Sequence, residues 1–265
     1  MIIGIPKEIK ENECRVGMTP EGVMVLTQAG HQVVVEKDAG EGSAITHAEY
    51  ERANAIILSS KEEVFQRAQV ILKVKEPLLS EYPLLQRGQM IFAYFHLAAD
   101  PTLTKQLLAS DVTAIAYETV VDEKGLLPLL IPMSAIAGRL AVLNGAHALQ
   151  RPFGGRGILL GGLTGVPPGR VVILGAGTVG THAAQVAVGL GADVVILDNN
   201  SAHLAAIGKK IDGPCKTDIA LPETIARHLS CADLVVGAVL TAGARAPLLV
   251  RRPLLGQMKR GSVIA

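Results

Sequence analysis

Short runs of aliphatic and β-branched residues alternate with amphipathic stretches over the first 120 residues. The apolar runs predict six strands, at Ile2–Ile5, Gln32–Glu36, Ala55–Leu58, Val70–Val74, Met90–Phe95 and Val112–Tyr117. The intervening stretches predict helices at Thr19–Ala29, Lys61–Arg67, Ser80–Arg87 and Asp100–Ala109. Strands and helices that alternate in this way are typical of a parallel sheet covered by helices on both faces.

The same alternation resumes after Gly169. It predicts strands at Val171–Leu174, Val194–Leu197 and Leu234–Val239, and helices at Thr178–Leu190, Pro222–Leu229 and Pro253–Met258. Residues 261–265 have the pattern of a further core strand, so we expect a second sheet that lacks its closing strands. A long helix is predicted at 134–150, with Ser134 as its cap, and a short strand at Ile158–Leu160 within the Gly-rich segment that follows.

These elements predict an α/β protein with two Rossmann-like, doubly wound parallel-sheet domains, the second of them incomplete. We expect a substrate domain at 1–133 and a dinucleotide-binding domain at 134–265, which opens with the inter-domain helix at 134–150.

Composition and charge exclude several partners. The formal net charge is +1 without a block of like charges, so nucleic-acid binding is not expected. The longest apolar stretch, Leu126–Ala137, is short and contains two prolines, and the N-terminus lacks the pattern of a signal peptide, so we expect a soluble, cytoplasmic protein. The three cysteines lie far apart, in no metal-binding or redox spacing.

A dinucleotide motif follows the strand at Val171. Residues 175–180 read G-A-G-T-V-G, between a hydrophobic strand and a helix start. Gly175 would allow the tight turn, Gly177 the approach of a pyrophosphate, and Gly180 the close packing of helix on strand. Asp198 ends the next strand, about 20 residues on, where a carboxylate binds ribose hydroxyls and favours NAD over NADP. The alternative is a Gly-rich turn with a coincidental aspartate.

Three polar residues follow predicted strands of the first domain. Lys75, His96 and Glu118 each come directly after one, and ligands bind beyond the carboxyl ends of parallel strands. Lys75 could anchor a carboxylate or polarise a carbonyl, and His96 could move a proton. Arg15 could bind a carboxylate in bidentate fashion. Each could instead be ordinary loop surface.

Seven segments of the chain, in the same order, resemble NAD-dependent alanine dehydrogenase of the alanine dehydrogenase/transhydrogenase family. The segments are GIPKEIKENECRVGMTP from Gly4, KVKEP from Lys73, HLAAD from His96, AYETV from Ala116, MSAIAGR from Met133, GGRGILLGGLTGV from Gly154 and GAVLTAGARAP from Gly237. The resemblance implies a two-domain, cytoplasmic, homohexameric oxidoreductase that converts L-alanine to pyruvate and ammonia, with NAD as hydride acceptor.

The resemblance also assigns residue roles. It implies that Arg15 and Lys75 bind the substrate and that His96 is the acid/base residue. The cofactor contacts that it implies are Ser134, Thr178, Val179, Asp198, Val239 and Leu240. No metal is implied.

Two departures from the family pattern bear on activity. The family's catalytic aspartate lies just past the strand that begins at Ser262, which is beyond residue 265, so we expect a C-terminally truncated chain of doubtful activity. Region 202–222 is divergent, with His203 at a basic cofactor contact and Ala220 near a serine position. Three alternatives stay open: a non-catalytic remnant that at most binds NAD, the NAD-binding subunit of a proton-translocating transhydrogenase, and a longer chain in the cell.

Overall fold

Six parallel strands form the sheet of the first unit, in the order β3-β2-β1-β4-β5-β6. In the computed structural model, which describes residues 1–241, 244 and 246–265, this unit spans Met1–Leu127. Its strands are β1 Ile2–Ile5, β2 Gln32–Glu36, β3 Ile56–Leu58, β4 Val70–Lys75, β5 Met90–Tyr94 and β6 Thr113–Ala116. Its helices are α1 Pro20–Gln28, α2 His47–Arg52, α3 Lys61–Arg67 and α4 Pro101–Ala109.

The chain leaves β1 in one direction across this sheet and returns to its other side at β4, so the switch point lies between β1 and β4. Alternate residues along the strands pack into two separate apolar layers, one on each face of the sheet. Ile3 and Val33 pack into one layer, while Val34 and Ile71 pack into the other. Both faces of the sheet are therefore buried, as the aliphatic strands predict.

The second unit, which begins at Pro128, contains a five-stranded parallel sheet in the order β11-β10-β7-β8-β9. Its strands are β7 Arg170–Leu174, β8 Asp193–Asp198, β9 Cys215–Ile219, β10 Leu234–Gly237 and β11 Val263–Ile264. Its helices are α5 Ile131–Ala148, α6 Thr178–Gly189, α7 Ser201–Ile207, α8 Pro222–Cys231 and α9 Arg252–Leu255. The expected strand near the last residues is present as β11, and the two Rossmann-like parallel sheets confirm the fold class.

Helix α5 packs directly on α6. A methyl group at Gly138 would overlap the carbonyl oxygen of Val179, and one at Gly145 would overlap the side chain of Leu234. Because Val179 lies in the first turn of α6 and Leu234 begins β10, α5 runs from the carboxyl edge of the sheet toward its amino edge. Ser134 is therefore one turn nearer the carboxyl edge than Gly138.

Three sequence predictions about local structure are wrong. The helix expected at Ser80–Arg87 is only a 3-10 turn at Tyr82–Leu84, where Pro83 cannot donate to a longer helix. Ser134 does not cap α5, which begins three residues earlier, and its own amide donates to the Leu130 oxygen within the helix. Residues 158–160 form no strand, although Leu160 is buried beneath the second sheet.

Within the described part of the chain, no helix combines the length and apolar character needed to cross a bilayer.

Candidate functional site

The switch point of the first sheet is held by Glu8, which follows β1. Its Oε1 atom accepts hydrogen bonds from the amide of Val74 at 2.6 Å and the amide of Lys75 at 3.4 Å. Ligands of open parallel sheets bind beyond the carboxyl ends of the strands at such a switch point. Lys75 therefore ends β4 at the position in this unit where a ligand is most expected.

Behind Lys75, a buried ammonium connects two buried carboxylates. Lys73 is fully buried, and its Nζ donates to Glu8 at 3.2 Å and to Glu81 at 3.0 Å. Lys61 adds a second positive charge, 3.4 Å from Glu81. Charges in an apolar interior are stable only when they are paired, and here two ammonium groups balance two carboxylates. Sequence reasoning missed this cluster, although a lysine inside the apolar run of β4 was a signal for it.

Lys75 is half-buried among polar and aromatic groups. It is the register partner of Tyr94 on β5, whose ring centroid lies 4.9 Å from that of Tyr117. Burial raises the pKa of Tyr94 and also that of Tyr117. Both phenols therefore stay neutral near pH 7 and can donate hydrogen bonds.

Arg15 forms a bidentate pair with Glu13. Its Nε donates to one carboxylate oxygen at 2.7 Å and its terminal nitrogen to the other at 2.6 Å. The hydrogen bond from Arg15 is the main cause of the lowered pKa of Glu13, and the charge of Lys75 lowers that pKa further. A side chain at Gly17 would overlap the Leu72 oxygen, so this loop lies tightly against β4. Arg15 and Lys75 thus lie in one neighbourhood.

His96 follows β5 in a left-handed backbone conformation, with φ of 52°, and its side chain is exposed. The Glu118 carboxylate accepts hydrogen bonds from the amides of Phe95 at 3.1 Å and His96 at 2.7 Å. Of the three polar residues expected at strand ends, Glu118 thus binds backbone amides with its carboxylate. The side chain of Lys75 is half-buried and that of His96 is exposed to solvent.

The glycine turn of the second unit lies between β7 and α6. Gly175 has φ of 115°, and a methyl group there would overlap the Ala238 oxygen. A methyl group at Gly180 would overlap the oxygen of Gly175, so the helix and the turn can meet only through glycine. A methyl group at Gly177 would have no neighbour within 4 Å among the described residues, apart from those next to it in the chain, and this leaves open space at the start of α6.

Asp198 ties the end of β8 to this turn. Its Oδ2 accepts from the amide of Ala176 at 2.7 Å, and its Oδ1 accepts from the amide of Asn200 at 2.8 Å. The Nδ1 atom of His203 lies 3.6 Å from Asp198 Oδ1. The carboxylate therefore faces the region between the glycine turn and the start of α7.

The remaining residues expected to contact a cofactor lie in the same unit. Val239 follows β10, with its side chain against Gly175, and Leu240 beside it is exposed. The residues that the sequence predicts as cofactor contacts, around the carboxyl ends of β7, β8 and β10, are Ser134, Gly175, Gly177, Thr178, Val179, Gly180, Asp198, Val239 and Leu240. The family-like segment that begins at Gly237 continues through Ala242, Gly243 and Arg245, which lie outside the described residues.

Residues 4–137 match the family model described as the N-terminal domain of alanine dehydrogenase/PNT, and residues 141–265 match the model of its C-terminal domain. The chain belongs to the alanine dehydrogenase/PNT family. Its family resemblance, expected from the seven sequence segments, is thereby confirmed.

Relatives within the alanine dehydrogenase/PNT family match the whole chain. It is 52% identical over 264 residues to the alanine dehydrogenase of Methanococcus maripaludis, covering 100% of this chain and 71% of the relative. The alanine dehydrogenase of Bacillus subtilis is 50% identical over 264 residues, with 100% and 69% covered. The chain thus spans about 70% of the length of these relatives.

Solved structures of the alanine dehydrogenase/PNT family agree with the fold. An L-alanine dehydrogenase superimposes with a TM-score of 0.89 at 48% identity, covering 100% of this chain and 73% of that one. A transhydrogenase from Sinorhizobium meliloti gives 0.80 at 30% identity, covering 100% and 77%. Sequence identity therefore groups the chain with the alanine dehydrogenases more closely than with this transhydrogenase.

The residues of the second unit fit a dinucleotide. The first amides of α6, from Thr178 onward, have no acceptor within the helix and suit a pyrophosphate. The open space at Gly177 allows a phosphate to approach the backbone, and the Asp198 carboxylate is suited to ribose hydroxyls. These are the donor and acceptor types that NAD requires.

Proposed function

We propose that this chain is an oxidoreductase that converts L-alanine to pyruvate and ammonia with NAD. The observation that carries the proposal is the placement of Lys75 and the Arg15–Glu13 pair beside the switch point of the first sheet. Relatives 46–52% identical to the whole chain bear the name alanine dehydrogenase, which supports the same reaction.

In the proposed reaction, Arg15 binds the substrate carboxylate. The Glu13 carboxylate already accepts hydrogen bonds from Nε and a terminal nitrogen, which form one edge of the guanidinium, and a substrate carboxylate could bind that edge in the same bidentate geometry. We infer that the substrate displaces Glu13 from Arg15 on binding. Lys75 then lies close to the substituent of the α-carbon, where its ammonium stabilises negative charge on the carbonyl oxygen of pyruvate or on the hydroxyl oxygen of the carbinolamine.

His96 is proposed to move the protons of the reaction. An imidazole exchanges protons near neutral pH, and oxidation of an amine followed by hydrolysis requires proton removal from nitrogen and from water. The exposed position of His96 at the end of β5 gives it access to solvent for that exchange.

In the second unit, α6 and Asp198 are proposed to bind and orient NAD. The bound nicotinamide supplies the hydride acceptor. The negative charge of Asp198 repels a 2′-phosphate, so we expect a preference for NAD over NADP. His203, adjacent to Asp198, lies at the edge of the proposed adenosine region.

The decisive experiment follows NADH formation by the purified chain with L-alanine and NAD, with D-alanine as substrate control. The variant His96→Gln should lower kcat by about 100-fold or more, because general acid–base groups contribute on the order of 10²–10⁴-fold. The matched variant His31→Gln changes a histidine that contacts the N-terminal amine and should turn over alanine as the parent does.

A parent protein that binds NADH, measured by fluorescence titration, but does not oxidise L-alanine would overturn the proposal. It would leave dinucleotide binding as the function of this chain.

We also propose that the protein is a cytoplasmic homo-oligomer, with a hexamer as the expected assembly. Helix α5 supports self-association because Ile136, Leu140 and Leu143 form an apolar stripe, each 47–52% exposed. Light scattering after size exclusion should give a hexamer mass, and Leu140→Arg should reduce it. A parent protein of monomer mass would contradict the assembly without affecting the proposed reaction.

A further inference from the structure

We propose that Glu8 and Glu118 are a pair of positioning residues, which we call the carboxylate clamps, and that they hold the strand ends carrying Lys75 and His96. The inference deepens the proposed function and rests on it, since it assigns the groups that place the two reactive side chains.

The two carboxylate clamps have the same geometry. Glu8 accepts from the amide of Lys75 and from that of the preceding residue, Val74. Glu118 accepts from the amide of His96 and from that of the preceding residue, Phe95. In each case one oxygen, Oε1, receives both bonds. A carboxylate that binds two consecutive amides fixes the peptide plane between them and thereby the direction of the following side chain.

Both strand ends need such support because neither is regular. The pairing of β4 with β5 shifts register between Leu72 and Lys75. His96 has the left-handed backbone conformation that a residue with a Cβ rarely adopts. Irregular backbone persists only where the surroundings determine it, and here the surroundings include a carboxylate on each strand end.

The two clamps are themselves held in different ways. The second oxygen of Glu8 accepts from the fully buried Lys73, which also binds Glu81, so that this clamp is anchored inside the first unit. Within the described residues, the second oxygen of Glu118 accepts a hydrogen bond only from the amide of Phe95, at 3.3 Å. Glutamine can therefore replace Glu118 and keep its acceptor oxygen, whereas glutamine at position 8 would remove one of the two carboxylates that pair with Lys73.

The test compares the substitutions Glu8→Ala, Glu118→Ala and Glu118→Gln. Displacement of Lys75 weakens substrate binding, so Glu8→Ala should raise KM for L-alanine and pyruvate about 10-fold or more. Displacement of His96 affects proton transfer, so Glu118→Ala should lower kcat by about 10- to 100-fold and alter the pH–rate profile, with KM changed little. Glu118→Gln should recover kcat to within about 3-fold of the parent, because it keeps the acceptor oxygen.

Gln89→Ala is the matched structural control. Gln89 is buried in the same unit, and its side-chain amide binds the backbone oxygens of Phe65 and Ala68 at the amino edge of the sheet. Gln89→Ala should lower the unfolding temperature, but it should not change one of the two kinetic parameters, KM or kcat, while leaving the other unchanged. If Glu8→Ala and Glu118→Ala change both kinetic parameters together, as a general loss of stability would, the clamp assignment is wrong.

Amide hydrogen exchange provides a readout that needs no turnover. Peptides that cover residues 70–78 should exchange faster in Glu8→Ala, and those that cover 92–100 should do so in Glu118→Ala. Peptides that cover 70–78 should exchange as in the parent in Glu118→Ala, and those that cover 92–100 should do so in Glu8→Ala. Both sets should exchange as in the parent in Gln89→Ala. A parent that fails to oxidise alanine would reject the proposed function alone, whereas unchanged exchange in both variants would reject the clamps.

Discussion

The carboxylate of Asp198 accepts a hydrogen bond from the amide of Ala176 at 2.7 Å, so the acid that ends β8 is bound to the glycine turn that ends β7. Replacement by alanine removes both this bond and the proposed acceptor for ribose. Asp198→Ala should therefore raise the Kd of NADH by about 10-fold or more, because hydrogen bonds to charged groups are worth about 1.5–3 kcal/mol. The Kd of NADPH should rise less, since the repulsion of its 2′-phosphate is lost as well.

Asp193→Ala is the control for this measurement. Asp193 begins the same strand at the opposite edge of the sheet, where it pairs with Arg170 and Lys216. Fluorescence titration should give this variant the NADH affinity of the parent. Equal weakening in the Asp193 and Asp198 variants would mean that the effect comes from general loosening of β8.

Substitution by alanine should have different effects at two glycines of the dinucleotide turn, one on stability and the other on NADH binding. At Gly180 the added methyl group overlaps the oxygen of Gly175, so Gly180→Ala should lower the free energy of unfolding by about 1–3 kcal/mol. At Gly177 the methyl group enters open space, so Gly177→Ala should keep the stability of the parent but weaken NADH binding. Urea unfolding and NADH titration of both variants test this contrast, which would fail if Gly177→Ala were the less stable of the two.

Tyr50 should make the first unit sensitive to alkaline pH. Burial raises the pKa of Tyr50 to about 12, while a tyrosine in the unfolded chain titrates near about 10. The unfolded state therefore loses its proton first, and the stability that Tyr50 contributes is complete below about pH 10 and falls as pH rises toward about 12. Urea unfolding followed by circular dichroism should show this decline.

The variant Tyr50→Phe isolates the contribution. It loses the hydrogen bond from the Tyr50 hydroxyl to the Met18 oxygen, at 2.8 Å, and should cost about 0.5–1.5 kcal/mol at neutral pH. The difference from the parent should shrink above about pH 10, while other groups, including Tyr117, titrate in both proteins. A difference that stays constant across this range would show that Tyr50 does not titrate as described.

The buried ammonium of Lys73 should be costly to remove. Lys73→Met leaves Glu8 without its ionic partner and Glu81 with Lys61 alone, so we expect a loss of about 3–5 kcal/mol in the free energy of unfolding. Lys37→Met, at an exposed position of the same unit, should change it by no more than about 0.5 kcal/mol. Chemical denaturation at pH 7 compares the two, and equal effects would contradict an electrostatic role for Lys73.

The strands of both sheets could largely be predicted from the sequence because buried parallel strands have continuous aliphatic runs. Strand β9 was missed since its middle residues, Lys216, Thr217 and Asp218, are polar, as an edge strand allows. Helix α2 was missed as well, although Thr46 and Glu49 form a capping box at its start. Short elements whose stability comes from caps and edges have little hydrophobic periodicity to detect.

The candidate site divides in the same way. The positions of Lys75 and His96 at strand ends could be predicted, because a strand end is visible in the local pattern. The clamps could not, since Glu8 binds backbone 66 residues away and Glu118 binds backbone 22 residues away, with no spacing rule that connects them. The bidentate Arg15–Glu13 pair, only two residues apart, was also missed, although Arg15 itself was proposed.

The contact between Gly180 and Gly175 has a consequence for how this sequence can diverge over generations. A methyl group at Gly4 would meet the side chains of Val64 and Ala68, which further substitutions at those two positions could make smaller. At Gly180 it would meet a backbone oxygen, which every amino acid carries. A descendant can therefore replace Gly4 if both neighbouring side chains also become smaller, whereas no change of a neighbouring side chain removes the overlap with the backbone at Gly180.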